Sequence, residues 1–475
     1  MMTKRTIKTP CAWRTAASCG CLLLSAACSS HDDVAGSDTT TVPISFSTDV
    51  AATRAATIES TEDLQNLAAG IGVFAYLTDE KTWSEATTGT EATEYPVPDY
   101  MYNQQVTWGV LSTTAGGEPV KGWVYAPPKY WPNSSGNVDP RYISFFAYAP
   151  WTDDPETNLA TYGIVEMPNV GDKSPHLKFS IAQRPGITTD LLYAEPAIDA
   201  RRNGQGLIEV SDGTEGGRTY TYQKVPLTFH HALACVEIYI QRIYDEPHYS
   251  GKEPDTTATK LFVSRLELAS AEGIGVEGIL DLGPWDGTND RTTRAGEWRD
   301  LTPAAPEGDA GTAPSRLIYD EGLFIDSISG TVSARLDSIA SYELYKWEKE
   351  GFGIDSVQRC LFKEGHVFFI PQPLTLTPTL TYSMVTRDDD LQLSDYTDLA
   401  GHKYSRIVHT VAGNPLTLSF QKGKRYRLLI HVEAEHIRFE LLSVTDWDFP
   451  MRFDPEAVPD FNEESHNHEL NEKNP

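Results

Sequence analysis

The chain has 475 residues, enough for two or three domains, and a formal net charge of −28 at neutral pH. Four basic residues and no acidic residue precede Cys28, so the remainder carries 35 basic against 67 acidic residues. An excess of 32 negative charges repels nucleic acid and anionic lipid headgroups, so neither is an expected partner. No apolar stretch reaches the roughly 20 residues that a transmembrane helix needs.

The start of the chain has the layout of a secretory signal. Basic residues precede a short apolar run, residues 21–27, which ends in small side chains, and Cys28 follows at once. A cysteine directly after the small pair is typical of a lipoprotein processing site. Ser25 stands where such sites usually carry a large aliphatic residue, so an ordinary signal peptide with an incidental cysteine remains the alternative.

We therefore expect residues 1–27 to be removed as a lipoprotein signal peptide. Cys28 would then carry acyl chains, at least two of which are needed for stable attachment to a membrane. Residues 28–41 would form a flexible tether. Beyond the signal region only Cys235 and Cys360 remain, and they could form one bridge or stay as buried free thiols.

The rest of the chain is predicted to be all-β. Alternating or continuously apolar runs rich in β-branched and aromatic residues are separated by Gly, Pro, Asn and Asp. Helical periodicity is confined to residues 61–69, with Ser60 or Thr61 as the N-cap. Many short strands without helices between them predict β-sandwiches rather than a parallel α/β sheet. The predicted strands are 42–48, 71–77, 142–148, 225–240, 261–268, 367–370, 416–420, 426–432 and 437–444.

Two polar, Gly-rich stretches guide the division into domains. Residues 201–217 resemble a linker, and residues 286–311 resemble a long loop. The first stretch separates a predicted N-terminal sandwich, residues 42–215, from a C-terminal sandwich, residues 216–449. Residues 450–475 form an acidic tail.

The first predicted strand has an unusual setting. Val42, Ile44 and Phe46 fall on one face by period two, while Pro43 suits an edge strand because it cannot donate a ladder bond. Arg54 and Ala55 follow in a stretch of small residues, and such a stretch is open to proteases. Cleavage there would free the strand and uncover an apolar groove for another strand. An ordinary solvated arginine is the simpler explanation of Arg54.

Several motifs, in their order and spacing, resemble the fimbrillin-type pilus subunits, the lipoprotein-precursor pilins of Bacteroidales. The resemblance covers most of the mature chain. Its pieces are Cys28 with Thr53-Arg54-Ala55; Gly72-Val73-Phe74-Ala75-Tyr76; Trp131-Pro132 with Ile143-Ser144-Phe145-Phe146-Ala147-Tyr148-Ala149-Pro150 and Asp190-Leu191-Leu192-Tyr193-Ala194; Val225-Pro226-Leu227-Thr228-Phe229-His230-His231-Ala232-Leu233-Ala234; and Phe369-Ile370-Pro371-Gln372-Pro373 with Gly423-Lys424-Arg425-Tyr426 and Val444-Thr445-Asp446-Trp447.

This resemblance implies two tandem transthyretin-like β-sandwich domains and assembly by β-strand exchange. It implies that a trypsin-like protease cuts between Arg54 and Ala55, so that Val42, Ile44 and Phe46 belong to a plug or donor strand. The implied location is the outer membrane and cell surface, in a fimbrium. The implied partners are other pilus subunits and, through the lipid on Cys28, the outer membrane; a host protein or glycan is left open.

Candidate metal sites have structural explanations that we favour. His231, Cys235 and Glu237 share one face of a strand, but a transition metal needs three or four converging ligands. The acidic stretches 286–290 and 388–390 lack the spacing of a calcium loop. We therefore expect no metal and no cofactor.

A catalytic role is not expected either. Asp446 and Asp448 have the period-two spacing of a carboxylate pair, but a glycosidase needs a facing cleft, and Trp447 is better explained as a plug of the domain end. The sequence contains no phosphate loop, dinucleotide fingerprint, nucleophile elbow or zinc-protease motif. The chain is therefore predicted not to be an enzyme.

We predict a lipid-anchored fimbrial subunit or pilus-associated adhesin. The alternative is a surface carbohydrate-binding lipoprotein of a glycan-uptake system, whose aromatic residues would stack on sugars; a secreted hydrolase is a third, weaker reading. The stacking candidates are Trp108, Trp123, Tyr130, Trp131 and Trp151. Apolar residues of the tail, Met451, Phe453, Val458 and Phe461, are scattered among acids and prolines, which favours an anchor, accessory or tip subunit over a polymerising stalk.

Overall fold

The structure is a computed structural model of the chain. It describes residues 43–50, 58, 60–87, 96–113, 117, 119–132, 140–153, 163–167, 175–181, 189–202, 208–215, 218–242, 259–283, 295–303, 315–320, 359–361, 366–393, 396–397, 401, 403–433 and 436–447.

Within these residues the chain is almost entirely β, as the sequence predicted. Two short helices occur, α1 (Thr61–Asn66) and α2 (Trp83–Thr87). The strands are β1 (Phe46–Val50), β2 (Ile71–Thr78), β3 (Met101–Thr113), β4 (Pro119–Val124), β5 (Tyr142–Ala149), β6 (Ile164–Glu166), β7 (His176–Ser180), β8 (Leu192–Ala194), β9 (Ala197–Ala200), β10 (Ile208–Glu215), β11 (Arg218–His231), β12 (Ala234–Arg242), β13 (Thr259–Ala269), β14 (Gly275–Asp281), β15 (Trp298–Pro303), β16 (Ser315–Asp320), β17 (Arg359–Cys360), β18 (Val367–Phe369), β19 (Pro373–Arg387), β20 (Tyr396–Thr397), β21 (Lys403–Ala412), β22 (Leu416–Ser419), β23 (Lys424–Val432) and β24 (Ile437–Asp446).

The first sheet curls back on itself. Its strand order is β1-β11-β8-β5-β2-β3-β4, with β10 beside β11 and β9 beside β5. The two ends of this order meet, because Trp123 of β4 donates a hydrogen bond to Thr48 of β1. The apolar side chains inside the curl form the first core, to which β1, β2, β5 and β11 each contribute buried residues.

Three further sheets complete the fold. A small sheet has the order β15-β14-β7-β6; a third has the order β17-β12-β23-β24 with β18 beside β12; a fourth has the order β16-β13-β19-β21-β20 with β22 beside β19. The third and fourth sheets pack face to face, and alternate residues of β12, β13, β19 and β23 fill the core between them. They form the second sandwich.

A central core joins the outer face of the first sheet to the small sheet and to the third sheet. Trp447, directly after β24, is fully buried there and stacks on the His231 ring with centroids 3.6 Å apart. Trp298 of β15 donates its indole N–H to the carbonyl of Ala232 at 2.7 Å. The predicted structural role of Trp447 agrees with this position, since its side chain is buried in the central core and stacks on the rings of His231 and Phe368.

Several element boundaries differ from the predictions. The helix predicted over 61–69 ends at Asn66, and Ser60 is its N-cap. The apolar run 225–240 is two strands, because residues 232 and 233 carry the chain from the first sheet to the third while staying buried. Periodicity alone does not separate one buried strand from two joined by a buried link.

Two stretches predicted as irregular contain strands. The linker-like stretch 201–217 includes β10, which pairs antiparallel with β11, and the loop-like stretch 286–311 includes β15, which pairs with β14. Main-chain hydrogen bonds form these pairs, so a polar sequence carries little sign of them. The division of the domains at residues 215 and 216 stays a prediction. The pairing shows that β11 belongs to the first sheet and that β14 pairs with β7.

Cys235 and Cys360, the two cysteines that follow the signal region and Cys28, form no disulfide and remain thiols. Cys235 is buried in β12, while Cys360 is partly exposed in β17 and pairs with Tyr239. Burial is the main cause that raises the pKa of the Cys235 thiol to about 12. The Cys235 thiolate, the reactive form, is therefore scarce near neutral pH.

This difference predicts selective alkylation. At pH 8, iodoacetamide should label Cys360 in the folded mature chain and leave Cys235 unlabelled, as read by peptide mass spectrometry. In concentrated denaturant both thiols should react, which serves as the control. Labelling of Cys235 in the folded chain at the rate of a free thiol would contradict the buried position of its side chain.

Candidate functional site

The segment 43–50, which comprises β1 and the three residues before it, lies in a groove of the first sheet; the strand begins at Phe46 and ends at Val50, rather than covering the predicted range 42–48. Its neighbour on one side is β11, which runs parallel, with Phe46 opposite Val225 and Val50 opposite Phe229. The amide of Val225 donates to the carbonyl of Ser45 at 2.9 Å. Ile44 and Phe46 are each only 2% exposed. β1 is therefore bound by main-chain pairing and by side chains that enter the core.

The other side of the groove is bordered by residues 125–130, which we call the rim. The amide of Ile44 donates to the carbonyl of Lys129 at 2.9 Å. The Tyr125 hydroxyl donates to the carbonyl of Ile44, also at 2.9 Å. An isolated antiparallel bridge joins Pro43 to Tyr130. Both main-chain groups of Ile44 are thus satisfied by the rim, while β11 binds the residue after it.

Aromatic rings line the floor of the groove. The Phe46 ring lies 5.8 Å from the ring of Phe145 in an edge-on arrangement and 5.8 Å from the ring of Tyr125. Trp131 packs against Phe145 with centroids 6.0 Å apart. Burial is the main cause that raises the pKa of Tyr125 to about 12, so its hydroxyl stays protonated and can donate to Ile44 near neutral pH.

A polar contact continues the same face of the strand. The indole N–H of Trp123 donates to the Thr48 hydroxyl at 2.8 Å, and Trp123 is 4% exposed. Ile44, Phe46 and Thr48 therefore occupy three successive positions of one face. Sequence reasoning found the first two and missed Thr48 and Trp123. Period two would have placed Thr48 on this face, but nothing local indicated its partner, 75 positions further along the chain.

The other residues predicted for this site fall outside the part of the chain that the structure describes. They are Cys28, Val42, Arg54 and Ala55. β1 ends at Val50, so the predicted cleavage position follows it closely in the sequence. The roles of these residues, and the detachable character of β1, remain predictions.

The candidate metal ligands have other partners. The Nδ1 atom of His231 lies 3.0 Å from a carboxylate oxygen of Asp190, and both side chains are buried. Glu237 lies 2.7 Å from the guanidinium of Arg427. Among the described residues, no three His, Cys, Asp or Glu side chains lie close enough together to bind a metal ion.

The candidate carbohydrate residues divide between core and surface. Trp123 and Trp131 are buried in the first core, so neither presents a ring face to a sugar. Trp151 donates its indole N–H to the carbonyl of Asn103 at 3.0 Å. Tyr130 is the exposed member of the group, at 42%. The described residues therefore show no row of exposed aromatic rings among these candidates.

Comparison with known proteins gives one match among curated sequences and several among solved structures. The fimbrium subunit Fim1C of Phocaeicola vulgatus is 33% identical over 98 residues, which are 21% of this chain and 20% of that protein. The chain thus matches about a fifth of the length of this relative. No family model matches.

Among solved structures, a fimbrial protein from Bacteroides vulgatus is 18% identical and has a TM-score of 0.48, with 85% of this chain and 99% of that chain covered. A proposed cell adhesion protein from Bacteroides uniformis is 11% identical, with a TM-score of 0.34 and coverage of 85% and 98%. Over those 98 residues, the Fim1C match confirms the predicted resemblance to a fimbrium subunit. In the described residues, no helix is both long and apolar enough to cross a bilayer.

The burial of Phe46 makes a first prediction about the groove. Phe46→Ala should lower the free energy of unfolding by about 3–5 kcal/mol, because it removes a buried ring and leaves a cavity. Ser47→Ala is the matched control on the other face of the strand, with an expected change of about 0.5 kcal/mol or less. Urea denaturation followed by tryptophan fluorescence measures both. Equal effects of the two substitutions would mean that β1 is not seated as described.

The Tyr125 hydroxyl gives a second prediction about the groove. Tyr125→Phe keeps the ring against Phe46 but removes the donor to Ile44, and should cost about 0.5–1.5 kcal/mol of unfolding free energy. The matched control is Tyr130→Phe, an exposed tyrosine of the same rim. Denaturation of the two variants side by side measures the difference. A loss for Tyr130→Phe as large as that for Tyr125→Phe would contradict a specific role of the Tyr125 bond.

Proposed function

We propose that this chain is a lipid-anchored, cell-surface fimbrial subunit or pilus-associated adhesin that assembles by exchange of β1. The observation that carries the proposal is the position of β1 at one end of the first sheet. It fills a groove between β11 and the rim. The similarity to a curated fimbrium subunit over 98 residues supports the same function.

The groove has the properties of a strand acceptor once β1 leaves. Loss of Ile44 and Phe46 would expose the core at a cost of about 1.5–3 kcal/mol for each large apolar side chain. Main-chain groups of β11 that now pair with β1 would lose their partners. An extended strand from another subunit would restore both interactions, with main-chain bonds giving affinity and side-chain pockets giving specificity.

Cleavage between Arg54 and Ala55 is the proposed trigger. Arg54 lies in the sequence Ala51-Ala52-Thr53-Arg54-Ala55-Ala56, which offers a trypsin-like protease an arginine among small residues. In the uncut chain β1 is covalently joined to the body, so a competing strand meets an intramolecular rival at high effective concentration. Cutting removes this advantage of β1.

The lipid would connect cleavage to release from the membrane. Acyl chains on Cys28 would hold the uncut chain at the outer membrane through residues 28–41. After cleavage, β1 stays with the lipid, and the body begins at Ala55. The body is then held only by the non-covalent contacts of β1, which strand exchange breaks. Release and assembly would thus be a single event.

The C-terminal segment is a candidate donor strand. The sequence Phe449-Pro450-Met451-Arg452-Phe453 has the same pattern as Val42-Pro43-Ile44-Ser45-Phe46: apolar, proline, apolar, polar, phenylalanine. Phe449 and the first two apolar residues of the tail, Met451 and Phe453, therefore alternate with the period of Val42, Ile44 and Phe46, whereas Val458 and Phe461 do not continue this pattern. Donation of this segment to another subunit is part of the proposal.

Protease treatment of the purified chain tests the proposal. A trypsin-like protease should produce two products: a body that begins at Ala55 and, in unheated gels, complexes of that body with an added subunit or peptide that supplies a strand. Arg54→Ala should block both products, whereas Arg54→Lys should keep them, because trypsin accepts lysine. N-terminal sequencing identifies the cut. A body that begins at Ala55 but neither loses β1 nor binds another strand would contradict the proposed assembly.

A further inference from the structure

We propose that Trp123 is a specificity-determining residue of the groove. It selects an incoming strand that carries a hydrogen-bond acceptor at the position of Thr48. It thereby favours a strand from a different kind of subunit over the C-terminal segment of a second copy of this chain. This inference rests on the proposed strand exchange and adds the chemistry of the preferred partner.

The geometry places the indole donor inside the groove. Trp123 lies on β4, at the opposite end of the first sheet from β1, and its N–H reaches the Thr48 hydroxyl at 2.8 Å. Thr48 sits opposite Leu227, which is 1% exposed, so this position lies on the core-facing side of the strand, where Thr48 is half-buried and Trp123 is 4% exposed. The Thr48 hydroxyl is the acceptor that β1 supplies at this depth.

An indole N–H can only donate, so a strand without an acceptor at this position would leave it buried and unpaired. A buried donor without a partner carries the full cost of its lost hydration, whereas the same donor with an acceptor makes a modest favourable contribution. The difference corresponds to about 5- to 100-fold in affinity. Serine, threonine, asparagine and aspartate side chains all offer a short acceptor. The groove therefore distinguishes strands by one polar position within an apolar pattern.

The chain's own C-terminal segment lacks that acceptor. When Phe449 is aligned with Val42, Met451 matches Ile44 and Phe453 matches Phe46, but Pro455 falls at the position of Thr48. Proline has no side-chain acceptor to offer the indole. The segment would fill the apolar pockets and leave the Trp123 N–H unpaired. Self-polymerisation would thus be weaker than pairing with a subunit whose strand carries an acceptor.

Peptide binding to the cleaved chain, with every residue after Arg54 retained, tests the inference. The body, cut after Arg54 and freed of its plug in mild denaturant, is titrated with fluorescent peptides of residues 42–50 and 449–457. Each peptide is paired with a variant changed at the critical position, Thr48→Val or Pro455→Thr. The 42–50 peptide should bind about 5- to 100-fold more tightly than its Thr48→Val form. Pro455→Thr should strengthen binding of the second peptide.

Two variants of the body serve as comparison. Trp123→Phe should remove the preference for threonine over valine, bringing the ratio to within about twofold, because the donor is gone. Trp108→Phe is the matched control, since Trp108 lies opposite Trp123 on β3 with ring centroids 5.5 Å apart and should leave the preference intact. If Trp123→Phe fails to fold, the affinities of the paired peptides for the unmodified body still test the role of Trp123.

Equal affinity of the threonine and valine peptides for the unmodified body would overturn the role of Trp123. So would a preference that persists in Trp123→Phe, or binding of the unmodified 449–457 peptide as tight as that of 42–50. In each of these cases strand exchange itself stands. Failure of every peptide to bind, the 42–50 peptide included, would instead overturn strand exchange and the selectivity with it.

Discussion

The seating of β1 on the edge of β11 is the interaction on which the first sheet depends. A sheet that curls has two ends, and here they are β1 and β4. The core inside the curl is closed by Ile44 and Phe46, both nearly inaccessible to water. A strand must occupy this position, because its absence would leave an apolar slot and unpaired main-chain groups. Nothing in this requirement says that the strand must belong to the same chain.

The remaining cores do not share this dependence. Ile44 and Phe46 contribute to the first core, whereas the central core and the core of the second sandwich are formed by other residues. Trp447 stacks on His231 and so fastens the end of β24 to the end of β11. The part of the chain after the predicted cut therefore retains two complete cores. The proposed loss of β1 would therefore leave these two cores unchanged and expose one groove, which another strand would have to fill.

Sequence patterns revealed those features that depend on neighbouring residues. The alternation around Ile44 and Phe46 indicated a strand with one buried face. Of the two predicted N-caps of α1, Ser60 and Thr61, the structure shows Ser60. Features that depend on how the sheet curls were not visible. The bond between Trp123 and Thr48 arises because the first and last strands of one sheet meet, and no local period encodes that meeting. The rim contact of Tyr125 with Ile44 has the same origin. The sequence did not predict β10, because β10 pairs with β11 through main-chain bonds and its own sequence is polar.

Hydrogen exchange at the amide of Val225 tests the central claim most directly. This amide lies on the β11 edge of the groove and donates to the carbonyl of Ser45, so β1 supplies its partner. Its exchange should be slow in the uncut chain, become fast once the cut body has lost β1, and become slow again when a strand peptide is added. Val225 remaining protected after β1 has been removed would contradict the account, because the groove would then not depend on β1.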